Sequence, residues 1–422
     1  MCAAFKFVGK SIFALLLLEG AVHAAVDLDG AFKSALKKNE TVSIQSEKIE
    51  QAAERYGRAK SSFFPTIDGV ASYTRLPDTG LTNAFNKPDR PEVKFTANVA
   101  LFRGGREFAG IRQTKASLAV EQHQSRAIRT ELYQAVAESF FETLIHEQDA
   151  KNLEIQLSLS KKRENELAER KKIGRSRASE LLAVQVAVAN LEAQSSSLDA
   201  LIQSAREKLS YLTGLDRTVK LNDDALISDR SSHEVSALSR YLARVENRPE
   251  IAALLQQLEA AEEGVAIARG QHLPSADVFG NYYLKRTGVN EGQDWDVTAR
   301  LTLPIFSGGS VLSQVEEAAS SKREADLRLA NARRVAEQQI RSLWAAVRAS
   351  QKQMSTLKKA LDLAERNYRL QDKEYSLGLV TNLDVIQALN AFYDTRRSYD
   401  RVRFQTKLEF IRLETAAALR EY

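Results

Sequence analysis

Two periods of hydrophobic and polar residues run through this chain, and each occurs twice. Val93, Phe95, Ala97, Val99 and Leu101 alternate with Lys94, Thr96, Asn98 and Ala100. Trp295, Val297, Ala299, Leu301 and Leu303 alternate in the same way with Asp296, Thr298, Arg300 and Thr302. A period of two predicts strands with one apolar and one wet face, here at about 92–102 and 295–304. Ile67–Leu76 and Asp277–Arg286 alternate less cleanly but carry Tyr73, Tyr282 and Tyr283, and read as partner strands at about 67–76 and 276–286. Turn residues separate each pair: Pro77-Asp-Thr-Gly80 with Pro88 and Pro91, and Thr287-Gly-Val-Asn-Glu-Gly292.

The other period is helical. Arg106 to Lys172 holds no Pro and a single Gly, Gly110, and Ser310 to Leu377 holds neither. Both runs are rich in Glu, Gln, Lys, Arg, Leu and Ala, which cost least in a helix. At 1.5 Å per residue, continuous helices over 106–172 and 310–377 would each be about 100 Å long. Such lengths predict a coiled coil or bundle. After Gly174, the residues Leu181, Val184, Val188, Leu191, Ser195, Leu198, Ile202, Ala205, Leu209 and Leu212 keep 3-4-3-4 spacing, which supercoils a helix on a partner. Val385, Ala388, Phe392, Thr395, Tyr399 and Val402 keep that phase more loosely. Return helices are thus predicted at about 176–212 and 381–420, folding back on the long helices around Gly174 and Gly378.

These elements form two copies of one unit. Gly308 follows Gly104, and Gly378 follows Gly174, by 204 positions. Phe63–Tyr73 parallels His272–Tyr282 at an offset of 209, so the copies differ by five residues in the loop between strands. Two copies of this size make a duplication, not a short-repeat solenoid. The domain reading is a signal peptide at 1–24, a first repeat at 25–215, a connector at 216–240 and a second repeat at 241–422. Each repeat reads helix, strand hairpin, very long helix, return helix.

The N-terminus has a basic region with Lys6 and Lys10, an apolar core from Ile12 to Leu18, and Val22-His-Ala24. That order predicts a secretory signal peptide cleaved after Ala24. Cys2, the only cysteine, lies inside it and ahead of the apolar core, which excludes a lipobox and leaves the mature chain without disulfide or thiolate chemistry. No later run approaches 18 consecutive apolar residues, so a membrane could be crossed only by strands in a closed barrel. A net charge of +5 from 60 basic and 55 acidic residues is well mixed and gives no argument for nucleic acid. Catalysis finds no support either. His123, His146, His233 and His272 are isolated, without the spacing of a metal site, so no metal or cofactor is predicted. Asp223-Asp224 and Glu262-Glu263 read as solvated pairs. Gly104-Gly105 and Gly308-Gly309 lack nucleotide-loop spacing and read as strand-to-helix bends, with Pro65 and Pro274 at strand entry.

The signal peptide, the duplicated units, Pro65 and Pro274 before the first strands, the glycine pairs after the second, and the tip Tyr375-Ser-Leu-Gly378 together resemble the TolC-like outer-membrane efflux proteins, from about Val26 to Tyr422. The resemblance implies a mainly α fold with a β-barrel portion: a homotrimer closing a 12-stranded barrel above an α-helical periplasmic tunnel. It implies an outer-membrane exit duct of a tripartite efflux or type I secretion system. Its partners would be outer-membrane lipid, a periplasmic adaptor protein and an inner-membrane pump or ABC transporter. Elementary physics agrees, because four strands can span a bilayer but cannot close a barrel alone. Apolar strand faces would meet lipid, and faces carrying Lys94, Asn98, Asp296 and Arg300 would line water.

Function concentrates at the tips. Gly378 suits a left-handed helix end, and Thr381 with Asp384 has capping-box spacing. In the first copy Arg177 stands where Thr381 does, so Ser176 or Ser179 is the expected cap. Glu180 is the repeat equivalent of Asp384; both also suit the positive end of a helix dipole. The resemblance implies an aperture narrowed by two acidic residues three apart; Asp384 matches the first, and Gln387 departs from the second. Val380 stands where the family carries an Arg. Adaptor docking would involve Gly174, Ser176, Ser179, Tyr375, Gly378 and Thr381. Two rival readings are a periplasmic adaptor, which should have one hairpin between β-rich halves, and a structural coiled coil, which should lack the four strands.

Overall fold

A computed structural model describes residues 25–77, 87–223, 235–288 and 290–420. The signal segment, loop residues 78–80, Asp224, Ser228–Ser232 and His233 lie outside the described residues. Helices α1 (Leu28–Lys38) and α2 (Glu40–Ser61) lead into strands β1 (Thr66–Arg75) and β2 (Asp89–Arg103). Helix α3 (Arg106–Lys172) runs for 67 residues, and α4 (Ala178–Thr213) returns along it. The second copy follows as α5 (Leu238–Leu242), α6 (Pro249–Gly270), β3 (Ser275–Lys285), β4 (Trp295–Thr302), α7 (Ser310–Ser376) and α8 (Asn382–Ala416). Side-chain caps start the first two helices: Gly30 N–H donates to Asp27 Oδ1 at 2.8 Å, and Thr41 N–H to Asn39 Oδ1 at 3.0 Å. β4 ends at Thr302, short of the alternation, because Pro304 has no N–H for a ladder.

The strands form one antiparallel sheet in the order β1-β2-β3-β4. Ile67 opposes Ala97 in the first hairpin and Ala276 opposes Leu301 in the second, so the two hairpins share one register under the repeat. Opposed residues lie on the same face. One face therefore carries Ile67, Phe95, Tyr282, Val297 and Leu301, and the other Asp68, Lys94, Thr96, Asn281, Asp296 and Arg300. The apolar face is uncovered: Ile67 is 71%, Val297 62% and Leu301 74% exposed. On the polar face, Asp296 accepts from Asn281 Nδ2 at 2.7 Å and Tyr283 Oη at 2.8 Å, and Lys94 lies over the Tyr283 ring at 5.5 Å.

The helices make two stacked layers sharing α3 and α7. Near the sheet, α2 and α6 flank α3, and α6 lies between α3 and α7. Farther away α4 and α8 take those places, with α8 packed on both long helices. Nineteen residues of α3 are buried against seven of α7, which makes α7 an edge helix. All ten positions of the α4 heptad are buried or half-buried.

The main core sits where the layers meet. Tyr133, Phe140 and Phe141 of α3 pack with Phe32 of α1, Leu209 of α4, and Phe404 and Ile411 of α8. Phe32 meets Tyr133 edge-on at 5.0 Å, and Phe140 meets Phe141 at 5.6 Å, geometries that add to area burial. The described ends of the connector dock on this core and on the neighbouring cluster around Ile340. Val26 N–H donates to Lys220 O at 2.8 Å and Asn222 N–H to Val26 O at 2.9 Å, while Trp344 Nε1 donates to Ser236 O at 3.0 Å.

Candidate functional site

Both long helices end in the same backbone device. Gly174 and Gly378 take φ of 75° and 74°, where a Cβ is strained. Gly174 N–H donates to Lys171 O at 3.0 Å and Arg175 N–H to Arg170 O at 2.8 Å. Gly378 and Leu379 repeat the pattern onto Tyr375 O and Glu374 O, both at 3.0 Å. These pairs are Schellman motifs, which satisfy terminal carbonyls and reverse the chain within a few residues.

The restarts differ. At the second tip the capping box forms: Thr381 N–H donates to Asp384 Oδ2 at 2.8 Å and Asp384 N–H to Thr381 Oγ1 at 3.4 Å. The Thr381 hydroxyl also donates to Asp384 Oδ2 at 2.6 Å. At the first tip neither Ser176 nor Ser179 caps, against expectation. Arg177 occupies the N-cap position without a side-chain cap, Ser179 is already inside α4, and the Ser176 hydroxyl donates to Glu180 Oε2 at 2.7 Å. The carboxylate four residues on captures the hydroxyl that would otherwise reach the backbone.

Hydrogen bonds from the Thr381 hydroxyl, then from its backbone N–H, hold the Asp384 carboxyl below the usual aspartate range. A depressed folded value means that the cap's contribution is complete above the unfolded value and is lost as pH falls through the folded one. Amide exchange at the start of α8 should therefore accelerate on acidification through the carboxylate range. Thr381→Ala should raise exchange already at neutral pH, by a local loss of about 1 kcal/mol, and flatten that pH response. An unchanged pH response in Thr381→Ala would remove the cap from the account.

Tyr375 sits between the hairpins and not at the apex. The guanidinium carbons of Arg163 and Arg170 each lie 4.9 Å from its ring centre. Arg163 also pairs with Asp372 on α7 and reaches Glu166 at 3.4 Å. Two turns away Tyr368 stacks on Phe392 at 6.2 Å, and burial, followed by the Asp372 charge, pushes its hydroxyl pKa up. The apex exposes apolar groups instead: Ile173, Leu377 and Leu379 are about two-thirds or more exposed. Gln387 is exposed one turn into α8.

Sequence reading missed the contact between the hairpins. Within each hairpin the seam is apolar: Leu167 with Val184 and Val188, and Leu389, Phe392 and Tyr393 with Leu361 and Tyr368. Between the aromatic core, where Phe141 reaches Phe404, and the tip-side contact of Leu159 with the Leu389–Tyr393 cluster, α3 and α8 meet through paired buried polar residues. Asn152 Nδ2 donates to Asp400 Oδ2 at 2.9 Å, Gln156 Nε2 to Asn390 Oδ1 at 2.9 Å, and Arg401 Nη2 to Asp149 Oδ2 at 2.8 Å. Asp149, Asn152 and Gln156 are at most 2% exposed. Polar residues at 149, 152, 156 and 160, spaced as a helical stripe, were the available signal.

A family model described as outer membrane efflux protein matches residues 31–215 and 243–419, the two copies in turn. The chain belongs to the outer membrane efflux protein family. It is similar to the outer membrane efflux protein BepC of Brucella suis, at 23% identity over 92% of this chain and 85% of that protein. It is also similar to the alkaline protease secretion protein AprF of Pseudomonas aeruginosa, at 23% over 97% and 86%. Its fold is that of VceC of Vibrio cholerae, with a TM-score of 0.78 at 19% identity over 92% and 95% of the two chains. CmeC of Campylobacter jejuni gives 0.80 at 18% over 92% and 85%. This outer membrane efflux protein is placed in the bacterial outer membrane with its helical part in the periplasm, as an exit duct of the efflux or type I secretion kind.

In this efflux protein the glycine pairs sit where strand passes into long helix. Gly104 and Gly105 have φ of 68° and 75°, and Gly308 and Gly309 of 62° and 83°. A Cβ on Gly104 would lie 2.1 Å from Gly270 O, so the site needs glycine twice over. Pro65 and Pro274 stand immediately before β1 and β3. Among the described residues no cluster of metal-binding side chains occurs, and no helix is long and apolar enough to cross a membrane. The acidic pairs are not merely solvated, a correction to the sequence reading. Glu262 pairs with Lys322 at 3.0 Å and Glu263 with Arg112 at 2.6 Å, while Asp223 pairs with the buried Lys407. Each faces a cation on a neighbouring element, which sequence separation concealed.

Proposed function

We propose that three copies of this chain close a 12-stranded barrel in the outer membrane, and that their helices enclose a periplasmic tunnel through which cargo leaves passively. The observation that carries this reading is the four-stranded sheet with one exposed apolar face, one polar face and two outer strands. In lipid such a sheet is tolerable only inside a closed barrel, and four strands are too few to close one. The apolar face carries Tyr73, Tyr282 and Trp295 near the loop end, and Phe64 and Phe306 lie just beyond the strands at the helix end, all well exposed. From Thr66 to Arg75 of β1, at about 3.3 Å per residue and a tilt of about 40°, the rise is about 23 Å, close to an outer-membrane apolar band.

In this reading the helical tips form the periplasmic mouth. Glu180 and Asp384 supply six carboxylates around it, and Gln387 leaves the ring with fewer charges than a second acid would give. The exposed Ile173, Leu377 and Leu379 around Gly174 and Gly378 offer an apolar landing for an adaptor, with Ser176, Ser179, Tyr375 and Thr381 beside it. The inner-membrane partner is a pump or an ABC transporter, and the duct brings no energy source of its own. The polar seam between α3 and α8 supports a mouth that opens by sliding, because hydrogen-bonded pairs can exchange partners or take up water where an apolar seam cannot.

Single-channel recording tests the mouth. Glu180→Gln with Asp384→Asn should raise unit conductance at least two-fold and weaken block by divalent cations. An unchanged conductance and block would remove the acidic ring and leave the fold as described.

A further inference from the structure

The internal repeat specifies how one copy meets the next. Within the chain β2 of the first copy pairs with β3 of the second, with Ala97 opposite Gly280 and Asn98 opposite Phe279. The sequence repeat gives the offsets, 209 from Phe63–Tyr73 to His272–Tyr282 and 204 from Gly104 to Gly308. The pairing of Thr66 with Asn98 and of Ser275 with Thr302 agrees with their sum. Carrying the β2–β3 register forward by those offsets gives a joint between β4 and the β1 of another copy.

We infer that β4 pairs antiparallel with β1 of the partner subunit in one register: Leu301 opposite Ala71, Arg300 opposite Ser72 and Ala299 opposite Tyr73. The inference rests on the barrel reading above and names its joint. The repeat carries the faces over with the register, so each face stays continuous across the joint. Leu301, Ala299, Ala71 and Tyr73 all belong to the apolar face, and Arg300 and Ser72 to the polar face. A shift by one residue would set polar against apolar across the joint and expose a charge to lipid.

The helix ends give a second, separate sign. Inside the chain Gly104 is pressed against Gly270 O, with Leu273 Cβ 2.9 Å from where its own Cβ would be. The repeat equivalents of these three are Gly308, Ser61 and Phe64. Gly308 has nothing within 4 Å of such a Cβ although its φ is 62°. Phe64 is 70% exposed. The same joint brings Phe64 of the partner subunit onto Gly308, filling the space that is empty in one copy.

The two joints are not equal in strength. The internal one has Arg103 Nη2 on Asp277 Oδ1 at 3.1 Å and Thr96 Oγ1 donating to Asn281 Oδ1 at 3.0 Å. Their equivalents are Ser307 with Asp68 and Arg300 with Ser72, so the ion pair has no counterpart between copies.

Cysteine cross-linking tests the register in the full chain with Cys2→Ser, which removes the native thiol. Opposed Cβ atoms lie about 4.5–5.5 Å apart and diagonal neighbours about 7–8 Å, so only the opposed pair suits a disulfide. Ala71→Cys with Leu301→Cys should give covalent dimers and trimers under mild oxidation, at least five-fold faster than Tyr73→Cys with Leu301→Cys. Equal or reversed rates would overturn the register and leave the barrel standing. Absence of interchain products from either pair, in protein that still forms channels, would overturn the joint. A disulfide within single chains, or protein that neither oligomerises nor conducts, would remove the joint and the barrel reading together.

Discussion

Phe140→Ala will cost about 3–5 kcal/mol of folding stability, as expected for an aromatic ring removed from a closed core. Phe140 has no exposed surface and meets Phe141 edge-on at 5.6 Å. Phe141 in turn reaches Phe404, at 6.2 Å, so α3 and α8 share one aromatic cluster. The position matters because this core lies where α1, α4 and α8 converge on α3. Removing the ring should loosen the whole waist, not a single helix. Denaturant midpoints read from the helical circular dichroism signal would show it, with Phe140→Leu, which refills part of the space, losing clearly less than Phe140→Ala. Equal, small shifts for both variants would mean that the waist is not the stabilising core.

Asn152→Asp should have the larger effect on conduction. Asn152 is 1% exposed and donates to Asp400 at 2.9 Å. A second carboxylate there would set two like charges together in a buried seam, at a cost of roughly 3–5 kcal/mol, comparable to breaking a buried ion pair. The hairpins can relieve that repulsion by parting along the polar seam. Unit conductance should rise several-fold at neutral pH and return toward the parent value under acid, where one carboxyl keeps its proton. Adding Asp400→Asn, which exchanges donor and acceptor, should restore the parent conductance. Failure of that double variant to recover would mean that the seam does not control the mouth.

Much of the architecture was legible because its causes are periodic. Alternation showed the faces of β2 and β4, and the structure added the register, the faces of β1 and β3, and the early end of β4. The long helices were readable because nothing in 106–172 or 310–376 breaks them, and the heptad at Leu181–Leu212 marks the buried side of α4. Gly174 and Gly378 were recognisable since a left-handed helix end favours glycine. The first-tip cap was not, because whether Ser176 turns to the backbone or to Glu180 depends on rotamers and not on spacing. The seam was missed for a related reason. Asp149 and Asn152 look like solvent-facing residues until a helix more than two hundred positions later covers them. Tyr375 belongs to the tip motif in sequence, yet in the fold it lies between the hairpins, where Arg163 and Arg170 reach it from α3, which only packing could show.

Single-channel recording of the purified, unmodified protein in a planar bilayer tests the central claim most directly. A trimeric duct narrowed by carboxylates at its helical mouth predicts step-like currents of low unit conductance, cation-selective and blocked by divalent cations added on the tip side. Material that fractionates as a soluble periplasmic protein and gives no steps at any voltage would contradict it.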